Sequence, residues 1–246
     1  MRYVIPTMGT VASMEAPAGA ETVLGDIRSM LDDVEARFSL YRDDSELSRV
    51  ASGELQLMNS SAELRRSYAD ALLWRNATRG AFTPNRPDGV VDLNGIVKAE
   101  AIAATGSILD AAGLPWWTVN IGGDLLTRGS DPRGFAWTIG IVDPADSTAQ
   151  LCAITLDGTR RAVATSGTLE RGDHLWLGSS AGSGDFVQVT VVADDIVAAD
   201  VLATAIAAGG AEALDDATAR WSVDVLTVDR VGALMATPGI RSALAA

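Results

Sequence analysis

Asp92-Leu93-Asn94-Gly95-Ile96-Val97-Lys98 sets an acid and a base on either side of an Asn-Gly pair. Upstream, Val90-Val91 reads as the end of a short apolar strand, and downstream the alanine-rich run Ala99 to Leu109 fits a helical period. The seven residues are therefore a strand-to-helix junction. A junction of this kind can aim backbone groups and a lysine at phosphate, which makes it a candidate ligand site.

Outward from this junction, Tyr3 to Val11 reads as a first strand interrupted by Pro6 and Gly9. Ala20 to Phe38 reads as a long amphipathic helix through Val23, Leu24, Ile27, Leu31, Val34 and Phe38. Asp44 or Ser45 caps a short helix through Val50, and Ser60 or Ser61 caps another over Ala62 to Thr78. Strands are predicted around Trp117 to Ile121, Trp137 to Val142, Leu151 to Leu156, Ala162 to Thr165, Phe186 to Val192 and Val223 to Val228. Helices are predicted at Val197 to Ala208 and Ala211 to Ala219. Runs of strands with interspersed helices predict an α+β fold, a mixed and largely antiparallel sheet with flanking helices, in one domain over residues 1–246.

Composition narrows the chemistry. A net charge of −13 repels nucleic acid and anionic membranes, so neither is an expected partner. No window reaches the ~18 unbroken apolar residues of a membrane span, since Asp200 interrupts the run from Ile196. Met1 to Pro6 lacks the basic and apolar segments of a signal peptide, and the expected location is the cytoplasm. Cys152 and His174 are each the only residue of their type, which excludes an internal disulfide and any multi-histidine or cysteine metal cluster. Any metal should be a hard cation held by oxygen.

Four further places carry candidate chemistry. Asn120-Ile121-Gly122-Gly123-Asp124 is either a plain turn or a close backbone approach to a ligand. Ala164-Thr165-Ser166-Gly167 is either a turn or a phosphate cradle. Asp200 and Thr204 share one helix face a turn apart; Asp200 either caps that helix or is a buried carboxylate that needs a partner such as Mg²⁺ or Ca²⁺. His174, in a polar stretch with Glu170, Arg171 and Asp173, is either merely exposed or a general base.

Taken in order, these segments resemble the bacterial FAD:protein FMN transferases, the ApbE-type flavin transferase family. The matching pieces are Met8-Gly9-Thr10, Phe38 to Arg42 with Ser45 to Ser48, Gly80-Ala81-Phe82, Asp92 to Lys98, Asn120 to Asp124, Thr165-Ser166-Gly167 with Glu170-Arg171 and His174, and Ala199-Asp200 with Thr204. They span nearly the whole chain. Thr83, Ala99-Glu100 and Ala103 depart from the family pattern and mark a compact, divergent member.

The resemblance implies Mg²⁺-dependent transfer of FMN from FAD to a threonine or serine hydroxyl of an acceptor flavoprotein, with release of AMP. It also implies an FAD site lined by Met8, Tyr41, Phe82, Thr83, Asp92, Lys98 and Leu175, with Gly122, Gly123, Thr165, Ser166 and Gly167 beside them. Asp200, Thr204 and the Gly95 carbonyl would hold the metal, His174 would be the base, and Lys98 and Asp200 would share in the chemistry. Alternatives are an FAD pyrophosphatase that gives free FMN and AMP, a flavin-binding protein without turnover, and a structural domain without ligand.

Overall fold

Two consecutive positive φ angles decide how the chain starts. Met8 (47°) and Gly9 (69°) turn what reads as one interrupted strand into a hairpin of β1 (Arg2–Thr7) and β2 (Thr10–Glu15), with Thr7 opposite Thr10. Paired left-handed residues match the twist of the flanking strands, as in hairpin turns generally. The computed structural model describes residues 1–167 and 184–245. Within them, β3 (Trp117–Ile121), β4 (Asp124–Arg128), β7 (Ala162–Gly167), β8 (Phe186–Ala193), β9 (Asp224–Asp229) and β10 (Leu234–Ala236) extend the hairpin into one sheet of order β1-β2-β3-β4-β7-β8-β9-β10. Each described pairing is antiparallel, which fits the predicted α+β class. β5 (Thr138–Asp143) and β6 (Asp146–Thr155) leave the sheet as a separate ribbon.

Alternation along the central strands fills both faces. Ala162 and Ala164 of β7 and Val225 of β9 enter the main core, whereas Val163 and Leu226 pack with Trp137, Ile141, Ile154 and Leu156 of the ribbon side. The helical layer holds α1 (Leu24–Phe38), α4 (Asn94–Ala111) and α5 (Ile196–Arg220), while α2 (Glu46–Ala51) and α3 (Ala62–Ala77) flank it and α6 (Pro238–Ala243) packs on the ribbon side. Of the predicted alternatives, Ser45 rather than Asp44 and Ser61 rather than Ser60 are the caps, their hydroxyls accepting from the N–H groups of Ser48 (3.0 Å) and Leu64 (3.2 Å).

Three local readings need correction. Val90-Val91 is not a strand end, because only an isolated bridge pairs Val91 with Asn85. The helix after the junction begins at Asn94 rather than Ala99, so Gly95 and Lys98 lie within its first turns. β4, β10 and α6 went unread in the sequence. α5 matches a membrane span by length and composition, yet Ala199, Leu202, Ala203 and Ile206 bury against the sheet. Gly210, at φ 65° and ψ −149°, breaks α5 in two, in keeping with the two helices predicted there. That region of backbone space is essentially restricted to glycine.

α4 sits close to the sheet because of Gly106. A Cβ there would lie 2.6 Å from Trp117 Cη2 and 3.2 Å from Leu126 Cδ2. Trp117 cannot swing away freely: it is fully buried and its Nε1 donates to Asp110 Oδ1 at 2.8 Å. Helix propensity alone favours Gly106→Ala by about 1 kcal/mol, whereas forcing a methyl into a filled core costs about 1–3 kcal/mol. The expected net result is destabilisation, read as a melting temperature lower by a few degrees; a rise would show that the helix–sheet contact has slack.

A second test concerns Glu100, whose Oε2 accepts from Ser67 Oγ across the α3–α4 contact at 2.7 Å. Burial raises its carboxyl pKa above the ordinary 4.5, partly offset by the Ser67 hydrogen bond and by Arg66. A raised acid pKa means that the protonated form is favoured in the fold, so stability from this group is full below the unfolded pKa and falls as pH rises through the folded one. Glu100→Gln should therefore melt higher than the parent at pH 7, with the gap closing below about pH 4.5, the ordinary glutamate value.

Candidate functional site

The junction is held by its own short-range contacts. Asp92 Oδ1 accepts from the Asn94 N–H at 2.9 Å, and the Asp92 N–H donates to the Pro84 carbonyl at 2.8 Å. A carboxylate at this place satisfies an orphan donor and faces the positive end of α4. Thr83 Oγ1 accepts from the Asn85 N–H at 3.2 Å and shapes the same loop. Leu93, Ile96 and Val97 point inward and join Phe82, Val201 and Ala205 in one apolar cluster. Phe82 lies against the helix start so closely that a Cβ on Gly95 would be 3.0 Å from its ring. Glycine at 95 thus serves packing, and the shared cluster sets the first turn of α4 against α5.

Lys98, one turn on, forms an ion pair with Asp124 at the start of β4. The lysine side chain is 16% exposed and the aspartate is fully buried. Asp124 Oδ1 also accepts from the Thr165 N–H of β7 at 2.9 Å. Gly122 (φ 58°) and Gly123 (φ 91°) make the β3–β4 turn that delivers Asp124 to this position. A Cβ at Gly122 would stand 3.6 Å from Thr10 Cγ2 and 3.8 Å from Lys98 Cδ. The pair is a hairpin turn, the first of the two sequence alternatives, and it lies beside the lysine stem.

Asp200 is not a cap. Asp195 caps α5, its Oδ1 accepting from the Ala198 N–H at 2.8 Å, and Asp200 lies in the second turn with no exposed surface. Ala199, Leu202 and Ala203 face the main core, and Val201 and Ala205 face the cluster at the start of α4. Asp200 and Thr204 occupy the strip between these two apolar faces. Thr204 Oγ1 is 3.2 Å from Ser166 Oγ, and Thr165 Oγ1 is 2.9 Å from Thr190 Oγ1. The strand pleat sends Ser166 toward α5 and Thr165 to the opposite face.

A polar seam results, running from Lys98 through Asp124 to Thr165, and from Ser166 through Thr204 toward Asp200. It joins α4, β4, β7 and α5. Met8 lies in the β1–β2 turn at the same end of the sheet, where Thr10 meets Gly122, and its N–H donates to Glu35 Oε2 at 3.2 Å. Tyr41 is 77% exposed on the link between α1 and α2. Gly167 ends β7 opposite Gln188. His174 and Leu175 lie outside the described residues. Among the described residues no three His, Cys, Asp or Glu side chains form a metal-binding group, so a cation beside Asp200 would draw on neutral oxygens.

Asp124 is the residue that the sequence reading passed over, having treated it as part of a glycine turn. A signal was available: Lys98 is the only lysine in the chain, every other basic side chain among the 19 Lys and Arg being arginine. A cation type used once marks a place where an ammonium is needed.

The FAD:protein FMN transferase of Vibrio cholerae serotype O1 is 26% identical over 271 aligned positions, covering 84% of this chain and 80% of that protein. Among solved structures, the flavin transferase ApbE of Vibrio cholerae superposes with a TM-score of 0.78 at 22% identity, covering 99% of each chain. The ApbE protein of Thermotoga maritima gives 0.81 at 19% identity, covering 100% of this chain and 99% of its own. These superpositions establish the shared fold. The model of the ApbE family matches residues 8–86 and 85–227, which together make up most of the sequence, and the chain belongs to the ApbE family.

Proposed function

We propose that this ApbE-family chain is a flavin transferase that moves FMN from FAD to a threonine or serine hydroxyl of an acceptor flavoprotein, releases AMP, and depends on Mg²⁺. Family membership and the FAD:protein FMN transferase of Vibrio cholerae support flavin transfer. The observation that carries the finer reading is the polar seam, which sets a lysine, a fully buried aspartate and two hydroxyls across four elements.

The donor set fits a hard cation. Carboxylate, hydroxyl and carbonyl oxygens are the ligands that Mg²⁺ prefers. Asp200, the Thr204 hydroxyl and the Gly95 carbonyl would hold it. When bound, the ion offsets negative charge on the diphosphate.

The chain's own groups supply the rest. Lys98 offers a cation at the same end of the sheet. The side-chain-free backbone of Gly122 and Gly123 lets a phosphate come close. In the transfer, the acceptor hydroxyl oxygen bonds to the FMN phosphorus, the bond from that phosphorus to the bridging oxygen breaks, and AMP leaves with that oxygen. His174 takes the hydroxyl proton as the general base.

Incubation with FAD, Mg²⁺ and a threonine-bearing acceptor should add one FMN to the acceptor, read by intact mass. Asp200→Ala should reduce the rate by roughly a hundredfold or more, and a chelator should do the same to the parent. An undiminished adduct in both cases would remove the metal from the reading, and free FMN and AMP with an unlabelled acceptor would replace transfer with hydrolysis.

A further inference from the structure

The choice of lysine at position 98 is informative because the chain uses arginine at its other basic positions. The other described ion pairs join arginines to carboxylates that retain some exposure, whereas the acid that meets Lys98 has none. An arginine fork is planar and engages a carboxylate through two parallel hydrogen bonds. An ammonium is a compact point charge with three donors. The lysine stem passes beside the Gly122 turn, where an added Cβ would stand 3.8 Å from Lys98 Cδ and 3.6 Å from Thr10 Cγ2. Three tetrahedral donors also let Lys98 bond Asp124 and still present an N–H to a second anion.

We propose that Asp124 is a positioning residue for the transfer reaction, with one carboxylate holding the Lys98 ammonium and the Thr165 N–H in a single clamp. The clamp fixes the lysine head at the ligand's phosphate and aligns β7 so that Ser166 meets Thr204. It also keeps the lysine neutralised within the fold until a ligand phosphate shares it. This inference rests on the flavin transferase reading above, since it assigns Asp124 its part in that same site.

The test is Asp124→Asn, which keeps an acceptor for the Thr165 N–H and removes the charge. Steady-state transfer should show kcat lower by at least about tenfold, the scale expected when a catalytic group is misplaced. The KM for FAD should stay within about threefold, a loss confined to the transition state. In a Lys98→Met background, Asp124→Asn should add less than about twofold, because residues that act as one unit are not additive. A merely structural aspartate would raise KM along with lowering kcat and would add its full cost to Lys98→Met.

An activity-independent arm uses the uniqueness of Lys98. Pulse labelling with an amine-reactive ester, followed by peptide mapping, reports on Lys98 separately from the chain's amino terminus. Labelling of Lys98 should be slow in the parent and faster in Asp124→Asn, with an unchanged far-ultraviolet circular dichroism spectrum. Unchanged labelling overturns the clamp whatever the activity. Faster labelling in Asp124→Asn, together with a parent that transfers no FMN, sustains the clamp and overturns the transferase reading instead. Should Asp124→Asn fail to fold, Lys98→Arg decides: a drop in kcat of about tenfold at similar KM supports a clamp built for an ammonium, and full turnover overturns it.

Discussion

Burying the Lys98–Asp124 ion pair between a helix and a hairpin constrains this molecule more than any other contact. Taking two charges out of water is expensive, and the cost is met only when the geometry is good and the remaining hydrogen-bonding capacity is used. Asp124 satisfies that condition by also accepting the Thr165 N–H. Three separate pieces of chain must therefore arrive together: the first turns of α4, the Gly122-Gly123 turn, and the end of β7. A register slip of one residue in β4 would point Asp124 at the other face of the sheet.

The surrounding packing can be understood as support for this meeting. Gly106 allows α4 to lie on Trp117 and Leu126, which sets the height of Lys98 above the sheet. Gly95 accepts the ring of Phe82, and the cluster around it couples the start of α4 to Val201 and Ala205 of α5. That coupling leaves Asp200 and Thr204 on a strip flanked by apolar faces. Gly210 then breaks α5, and Asp185 Oδ2 accepts from the freed Ala211 N–H at 3.1 Å, so the helix kinks without leaving that donor unsatisfied. Gly95 and Gly106 are there for space, and Gly122, Gly123 and Gly210 are there for φ.

Several candidate residues are conspicuous in the sequence because their types are rare in their surroundings. Asp200 stands out in an alanine-rich helix, and Asp92 to Lys98 stands out as a charged, bend-capable stretch between apolar runs. Helix caps are readable to within one residue, as Asp44 or Ser45 and Ser60 or Ser61, because a cap is a local event decided within three residues, and the hydrogen bonds single out Ser45 and Ser61. By contrast, an aspartate before an apolar run is compatible with a cap or with burial, and the local sequence offers both Asp195 and Asp200. The choice fell to Asp195 when Ala198 took its hydrogen bond, and Asp200 was carried inside by the packing of its neighbours.

The sequence by itself determined the α+β class, the neighbourhood of each helix cap and the ordered series of family segments. Those properties follow from composition, periodicity and short-range chemistry. The tertiary structure alone decided that Met8-Gly9 is a hairpin turn, that Asp-Leu-Leu-Thr-Arg is strand β4, and that Lys98 belongs to Asp124. Each depends on partners distant in the chain, because a strand with a weak pattern of its own is defined by the neighbours that satisfy its backbone. The electrostatic partner of a single lysine is likewise fixed only when the fold brings a buried carboxylate to it.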